Sequence, residues 1–152
     1  MKINWKIKTF EDLTNVELYS ILSLRAEVFI VEQTCPYLDT DGKDFKSFHL
    51  MGTLESGNLI AYSRIVPPGI SFDEVSIGRV ASSPKARGIG VGKVLMEQSI
   101  KEIYKKYGAV AIHIGAQLYL KNFYGSFGFI IISDEYLEDN ILHIEMLREP
   151  YF

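Results

Sequence analysis

The sequence predicts an α/β (α+β) fold, a mixed and mostly antiparallel sheet with helices on its faces. Three observations carry that prediction. Apolar alternation and helical stripes follow one another in the order β, α, three β, α, β, α, β, β. Two of the strand-like runs, "FHLMGTL" and "NLIAYSRIV", flank a short "ESG", which signals an antiparallel hairpin. A glycine-rich run, "RGIGVG", then separates the next strand from an amphipathic helix, so a single β–α crossover follows the hairpins.

Each element has a local reason. "INWKIK" alternates and sets Ile3, Trp5 and Ile7 on one face of a strand. Thr14 is placed to cap a helix whose buried side carries Leu18, Ile21, Leu22, Val28 and Phe29. That helix is expected to run out near "EQTCPYLDTDGKD", where Pro36, Gly42 and the acids read as loop. The hairpin comes next, and "EVSIGRVAS" adds a third strand to it. The helix after the glycines runs to about Tyr107. "AVAIHIGA" is a short buried strand, "QLYLKNFYGSF" a short helix, and "FIIIS" and "ILHIEML" two closing strands.

Composition sets the bounds. At 152 residues, one domain spanning 1–152 is expected. Hydrophobic residues make up 47%, enough for a packed core. A net charge of −3 argues against a broad nucleic-acid surface. Cys35 is the single cysteine, which excludes an intramolecular disulfide and a cysteine-based metal cluster, and no metal is expected. "MKINWKIKTF" lacks the apolar stretch of a signal peptide, and no run is long enough to span a bilayer. A cytoplasmic location and no membrane partner are therefore expected.

Glycine costs a helix interior roughly 1 kcal/mol against alanine, so three glycines around a helix start need a reason. The first amides of a helix lack intrahelical partners and carry the positive end of its dipole. Bare backbone there lets an anion's oxygens reach those amides. "RGIGVG", Arg87 to Gly92, thus reads as a phosphate or pyrophosphate cradle, with Arg87 as a fixed charge. It lacks the Gly-Lys-Ser/Thr ending of a nucleotidase P-loop. A Rossmann fingerprint spaces its last glycine differently and sits on an early βαβ unit.

These residues resemble a known family. Arg87-Gly88-Ile89-Gly90-Val91-Gly92 is similar to the Q/R-x-x-G-x-G/A signature of the GNAT acetyltransferase superfamily. "FYGSFGF", Phe123 to Phe129, resembles its second motif, and the element order is also that of the GNAT fold. "LRAEVFIVEQTCPYLDTDGKD", "IGRV", "GAQ" and "NFYGSFGF" resemble the ElaA-like branch more narrowly. The resemblance implies acetyl-CoA as donor, an amine of a small molecule or peptide as acceptor, and a monomer or homodimer. It implies that the amides of Gly88 to Gly92 bind the pyrophosphate. It further implies that Val80, Ala81 and Ser82 end a splayed strand offering main chain to the pantetheine arm, an amide near Val80 facing the thioester oxygen. Ser82 and Gln117 depart from the valine and the asparagine of many relatives.

Tyr124 falls where the family places its general acid. A phenol near pKa ~10 stays protonated at neutral pH and can protonate a departing thiolate. The same residue also completes an apolar stripe with Leu120, Phe123 and Phe127. On the acceptor side, Arg25 and Glu32 end the first helical region, which in this superfamily covers the acceptor cleft. Glu32 is the candidate to bind or deprotonate the amine, and His49 is the rival base. His113 alternates with Ile112 and Ile114 in a central strand and is placed to point into the cleft, whereas His143 has less support. "DTDGKD" reads as an acidic turn that attracts a cationic acceptor. Cys35 has no recognisable base partner, so direct attack in a ternary complex is favoured over an acyl-enzyme. Two alternatives remain open. One is an acyl-homoserine-lactone-synthase-like acyltransferase, suggested by Arg25-x-x-Val28-Phe29. The other is a non-catalytic acyl-CoA sensor.

Overall fold

The computed structural model describes residues 2–150. Strand β1 (Asn4–Thr9) leads into helix α1 (Asn15–Arg25). Thr14 caps α1 as expected, and its capping box is complete: the Glu17 amide donates to Thr14 Oγ1 at 3.0 Å, and the Thr14 amide donates to Glu17 Oε1 at 2.9 Å. The helix continues as π-helical turns over Ala26–Glu32 and then gives way to a loop, near the expected point. Strands β2 (Phe48–Thr53), β3 (Leu59–Val66) and β4 (Ser76–Ser82) form the anticipated hairpin group. Helix α2 (Val91–Tyr107), strand β5 (Ile112–Gln117) and the short helix α3 (Lys121–Gly125) follow.

The chain closes with β6 (Phe129–Ile131), β7 (Tyr136–Glu138) and β8 (Ile141–Arg148). Strand β7 is absent from the sequence-based order. It spans three residues and exists as the partner of β8 across a two-residue turn, Asp139-Asn140, with φ of 51° and 65°. Positive φ at both central residues is what a type I′ hairpin turn requires, and Asp and Asn tolerate it.

The strands form two antiparallel halves, β1-β2-β3-β4 and β5-β8-β6, with β7 also on β8. One parallel bridge, Val75 to Ile112, joins them, and the His113 amide donates to the Val75 carbonyl at 3.0 Å. Helix α1 covers one face and α2 the other. Strand alternation sorts the side chains: Met51 packs under α1 with Ile21 and Leu24, while Leu50 packs with Val91 and Leu95 of α2. Helix α2 spans both halves, because Met96 and Ile103 share one cluster with Ile65, Ile77, Ile112 and Ile144. Burying Val91, Leu95, Met96 and Ile103 contributes roughly 1.5–3 kcal/mol each, more than the ~1 kcal/mol of each glycine at the helix start. Packing therefore holds the helix, and the glycines are free to serve the loop.

Candidate active site

Beyond the Val75–Ile112 bridge, β4 and β5 diverge around a cleft of about 590 Å³. Ile77, Gly78, Val80 and Ser82 form one wall, and Ile114, Gly115, Ala116 and Gln117 the other. Strand β4 carries a bulge at the cleft: Tyr62 pairs with Ala81 and Arg64 with Gly78, so three steps on β4 oppose two on β3. Arg79 absorbs the extra residue at φ 49°. Of the three residues expected to face a pantetheine arm, Val80 and Ser82 line the cleft. Ala81 points to the other side, against Ile21 and Tyr62, as neighbours in a strand must.

Arg87 and Gly92, at the two ends of the glycine loop, line this wedge. Gly88 and Gly90 adopt φ of 89° and 78°, a region open to glycine and strained for most other residues. A Cβ at either would meet nothing within 4 Å, so the space before the loop is clear. Gly90 caps α2 without a side-chain hydrogen bond, and the first amide returned to the helix is that of Val94, donating to Gly90 O at 3.2 Å. Ile89 is exposed and Val91 sits in the core, so both offer the loop main chain only. Gly92 lies at the cleft wall, where a Cβ would rest 3.6 Å from the Phe123 ring.

Two polar contacts cross the cleft from the end of the first helical region. Arg87 grips Glu32 with both terminal nitrogens, Nη2 donating to Oε1 at 2.7 Å, and also reaches the Ser82 carbonyl at 3.0 Å. This partner holds the Glu32 carboxyl below its ordinary value. Gln33 and Gln117 pair reciprocally, each Nε2 donating to the other's Oε1 at 3.3 and 3.2 Å. Glu32, Arg87 and Gln117 thus all line the cleft, Glu32 engaged with Arg87 and Gln117 with Gln33.

Tyr124 lies between the aromatic core and the cleft. It packs edge-on against Phe123 and Phe129, at 5.1 and 6.2 Å between centroids, and it lines the cleft. Its hydroxyl has no hydrogen-bond partner among the described residues. Burial pushes the phenol's pKa up, with Tyr119 adding to the effect.

The acceptor-side expectations need correction. "DTDGKD" is not an open acidic turn. Asp39, Asp41 and Asp44 face Arg25, Arg64 and Arg79 in a cluster of three carboxylates and three guanidiniums. Arg25 is fully buried there, donating to Asp39 and Asp44 at 2.8 Å each, and lies outside the cleft. His49 is also outside it, 1% exposed. Its Nε2–H donates to the Asp44 carbonyl at 2.9 Å and its Nδ1 accepts from Tyr62 Oη at 2.7 Å. Burial lowers its pKa, so it rests neutral with both nitrogens used. The strand start that suggested His49 as a base places it in the interior. His113 stacks on Phe72 at 3.6 Å, between Glu74 and Glu145, away from the cleft lining.

Tyr37 and Arg79, to which the sequence assigned no role, line the cleft, as do Cys35 and His143, which it considered and did not favour. Tyr37 and Arg79 both bond Asp39 Oδ1 at 2.8 Å, and Cys35 donates to the Asp139 carbonyl at 3.2 Å. His143 lies there as well, and its alternation with the apolar residues of β8 was the available signal.

Residues 37–149 match the acetyltransferase (GNAT) domain. The ElaA protein of Escherichia coli is 40% identical over 149 residues, 97% of each chain. A crystal structure of an acyl-CoA N-acyltransferase from Pseudomonas aeruginosa superimposes with a TM-score of 0.92 at 42% identity, over 97% of this chain and 99% of that one. A GNAT family acetyltransferase from Elizabethkingia anophelis, solved with acetyl-CoA bound, shares the fold at a TM-score of 0.66 and 15% identity, over 97% of both chains. A bulged and splayed β4, a glycine loop at the head of α2 and these full-length likenesses agree: the chain belongs to the GNAT acetyltransferase family.

Proposed function

We propose that the protein is a single-domain, cytoplasmic N-acetyltransferase that moves the acetyl group of acetyl-CoA to an amine by direct attack in a ternary complex. The observation that carries this reading is the wedge between β4 and β5, with bare helix-start amides beside it and the Tyr124 hydroxyl on its wall. The amides of Gly88 to Gly92 bind the pyrophosphate, and Arg87 adds charge once the phosphate shares or displaces Glu32. The bulge at Arg79 turns backbone beside Val80 toward the cleft, where an amide steadies the thioester oxygen as charge builds on it. Tyr124 protonates the thiolate; a buried phenol keeps its proton until a stronger base forms beside it. Glu32, lining the same cleft, helps orient the acceptor.

Acyl-CoA transfer is tested by thiol release from acetyl-CoA across small-molecule and peptide amines, with S-adenosylmethionine included. Release with an amine supports the reading. Release with S-adenosylmethionine alone would favour homoserine-lactone-type chemistry, and CoA binding without any release would make the protein a sensor.

A further inference from the structure

We infer that His143 takes the proton of the acceptor amine, resting on the acyl-transfer reading above. In β8, Ile144 and Met146 point into the core beneath α2, so His143 points to the opposite face of the sheet. Gln117 is its register partner on β5. Tyr124 belongs to the α2-side core. The acid and the proton acceptor thus stand on opposite faces, and the cleft between β4 and β5, lined by both, connects them.

The local geometry fixes what His143 can do. Its Nδ1 lies 2.8 Å from the Ile141 carbonyl, which only accepts, so Nδ1 carries the hydrogen. In the neutral ring, Nε2 then holds a lone pair. Stacking on Tyr136, at 5.9 Å and 25°, holds the plane of the ring. Nε2 is 3.5 Å from Glu138 Oε2, beyond a good hydrogen bond, so a donor placed there can satisfy both.

An ammonium is such a donor, and the charges around it agree. Of the cations lining the cleft, Arg79 is taken by Asp39 and Arg87 by Glu32. Glu138 faces His143 and has no lysine or arginine partner among the described residues, and Asp139 lines the same end. The other two histidines have both ring nitrogens engaged.

The step balances. The ammonium gives one proton to His143 Nε2, which passes it to solvent. The amine nitrogen bonds to the thioester carbonyl carbon, the carbon–sulfur bond breaks, and the thiolate takes the Tyr124 proton. The nitrogen's second proton restores Tyr124, leaving an amide, free CoA and one released proton.

The test uses acetyl-CoA with whichever simple primary amine gives the wild-type protein its fastest thiol release. His143→Asn keeps a donor for the Ile141 carbonyl and removes Nε2. It is expected to lower kcat about a hundredfold, erase the acidic limb of the kcat/KM profile, and recover as pH approaches the amine's own pKa. CoA affinity should stay within twofold. Glu138→Gln should raise KM for the amine with little change in kcat. In the wild-type protein, carbethoxylation mapped to His143 should track loss of activity and be slowed by the amine. A His143→Asn protein within threefold of wild type with an unaltered pH profile overturns the assignment and leaves acyl transfer standing. So does full activity after His143 is modified. A wild-type protein that binds CoA yet releases thiol with no amine overturns both.

Discussion

Tyr124 fills two needs at one position. Its ring closes the aromatic packing between Phe123 and Phe129, and its hydroxyl is left for whatever lies in the cleft. Phenylalanine separates the two, because it retains the ring and removes only the oxygen. Tyr124→Phe is expected to fold with a melting temperature close to wild type, bind CoA normally and turn over about a hundredfold more slowly. Full turnover in that variant would return the tyrosine to packing alone. His49 is the converse case: a residue type suited to catalysis, spent on joining the Asp44 carbonyl to Tyr62.

At the scale of elements, the junction of β4, the glycine loop and α2 is where the proposed CoA binding can be tested. Gly90→Ala reports the strain of φ 78°, since nothing else lies near its Cβ. Gly90→Asp adds a negative charge at a helix start expected to hold phosphate. Calorimetry should show CoA at least tenfold weaker for aspartate than for alanine, about 1.4 kcal/mol or more. Gly92→Ala, which only touches the Phe123 ring, serves as the folding control. Equal affinities in the alanine and aspartate proteins would remove the pyrophosphate from this loop. This junction was legible because glycines, apolar alternation and a helical stripe are local signals. So were the Thr14 cap and the β2–β3 hairpin. Strand β7 was not, since three residues carry no periodicity; only Asp139-Asn140 marks its turn. The buried arginine–aspartate cluster was not legible either. Its members come from α1, the acidic loop, β3 and β4, and nothing local shows that each carboxylate will meet a guanidinium.

For the whole molecule, that cluster ties the acidic loop to the sheet and should govern behaviour in acid. Burial alone would raise the carboxyls of Asp41 and Asp44, but Arg64 and Arg25 outweigh it and hold both low. A depressed carboxyl stabilises the fold above the unfolded value of about 3.9 and loses that contribution as pH falls through the folded one. Thermal melts from pH 7 down to pH 2 should therefore show a steep loss below about pH 4. Asp44→Asn leaves Arg25 and Arg64 short of charge and should cost about 3–5 kcal/mol at pH 7, with a flatter decline in acid. An equally steep decline would place the acid sensitivity elsewhere.

The bridge between Val75 and Ile112, the only one between the half-sheets among the described residues, has a further consequence, for cooperativity. Each half-sheet has a continuous ladder of its own, and besides that bridge they are joined by side chains: α2 packs across both, His113 meets Phe72 and Glu74, and Gln117 meets Gln33. A polar arm lying between β4 and β5 would act as a missing rung, giving both flanks one shared partner. Unfolding of the free protein would then begin as two loosely coupled halves, and that of the occupied protein as one.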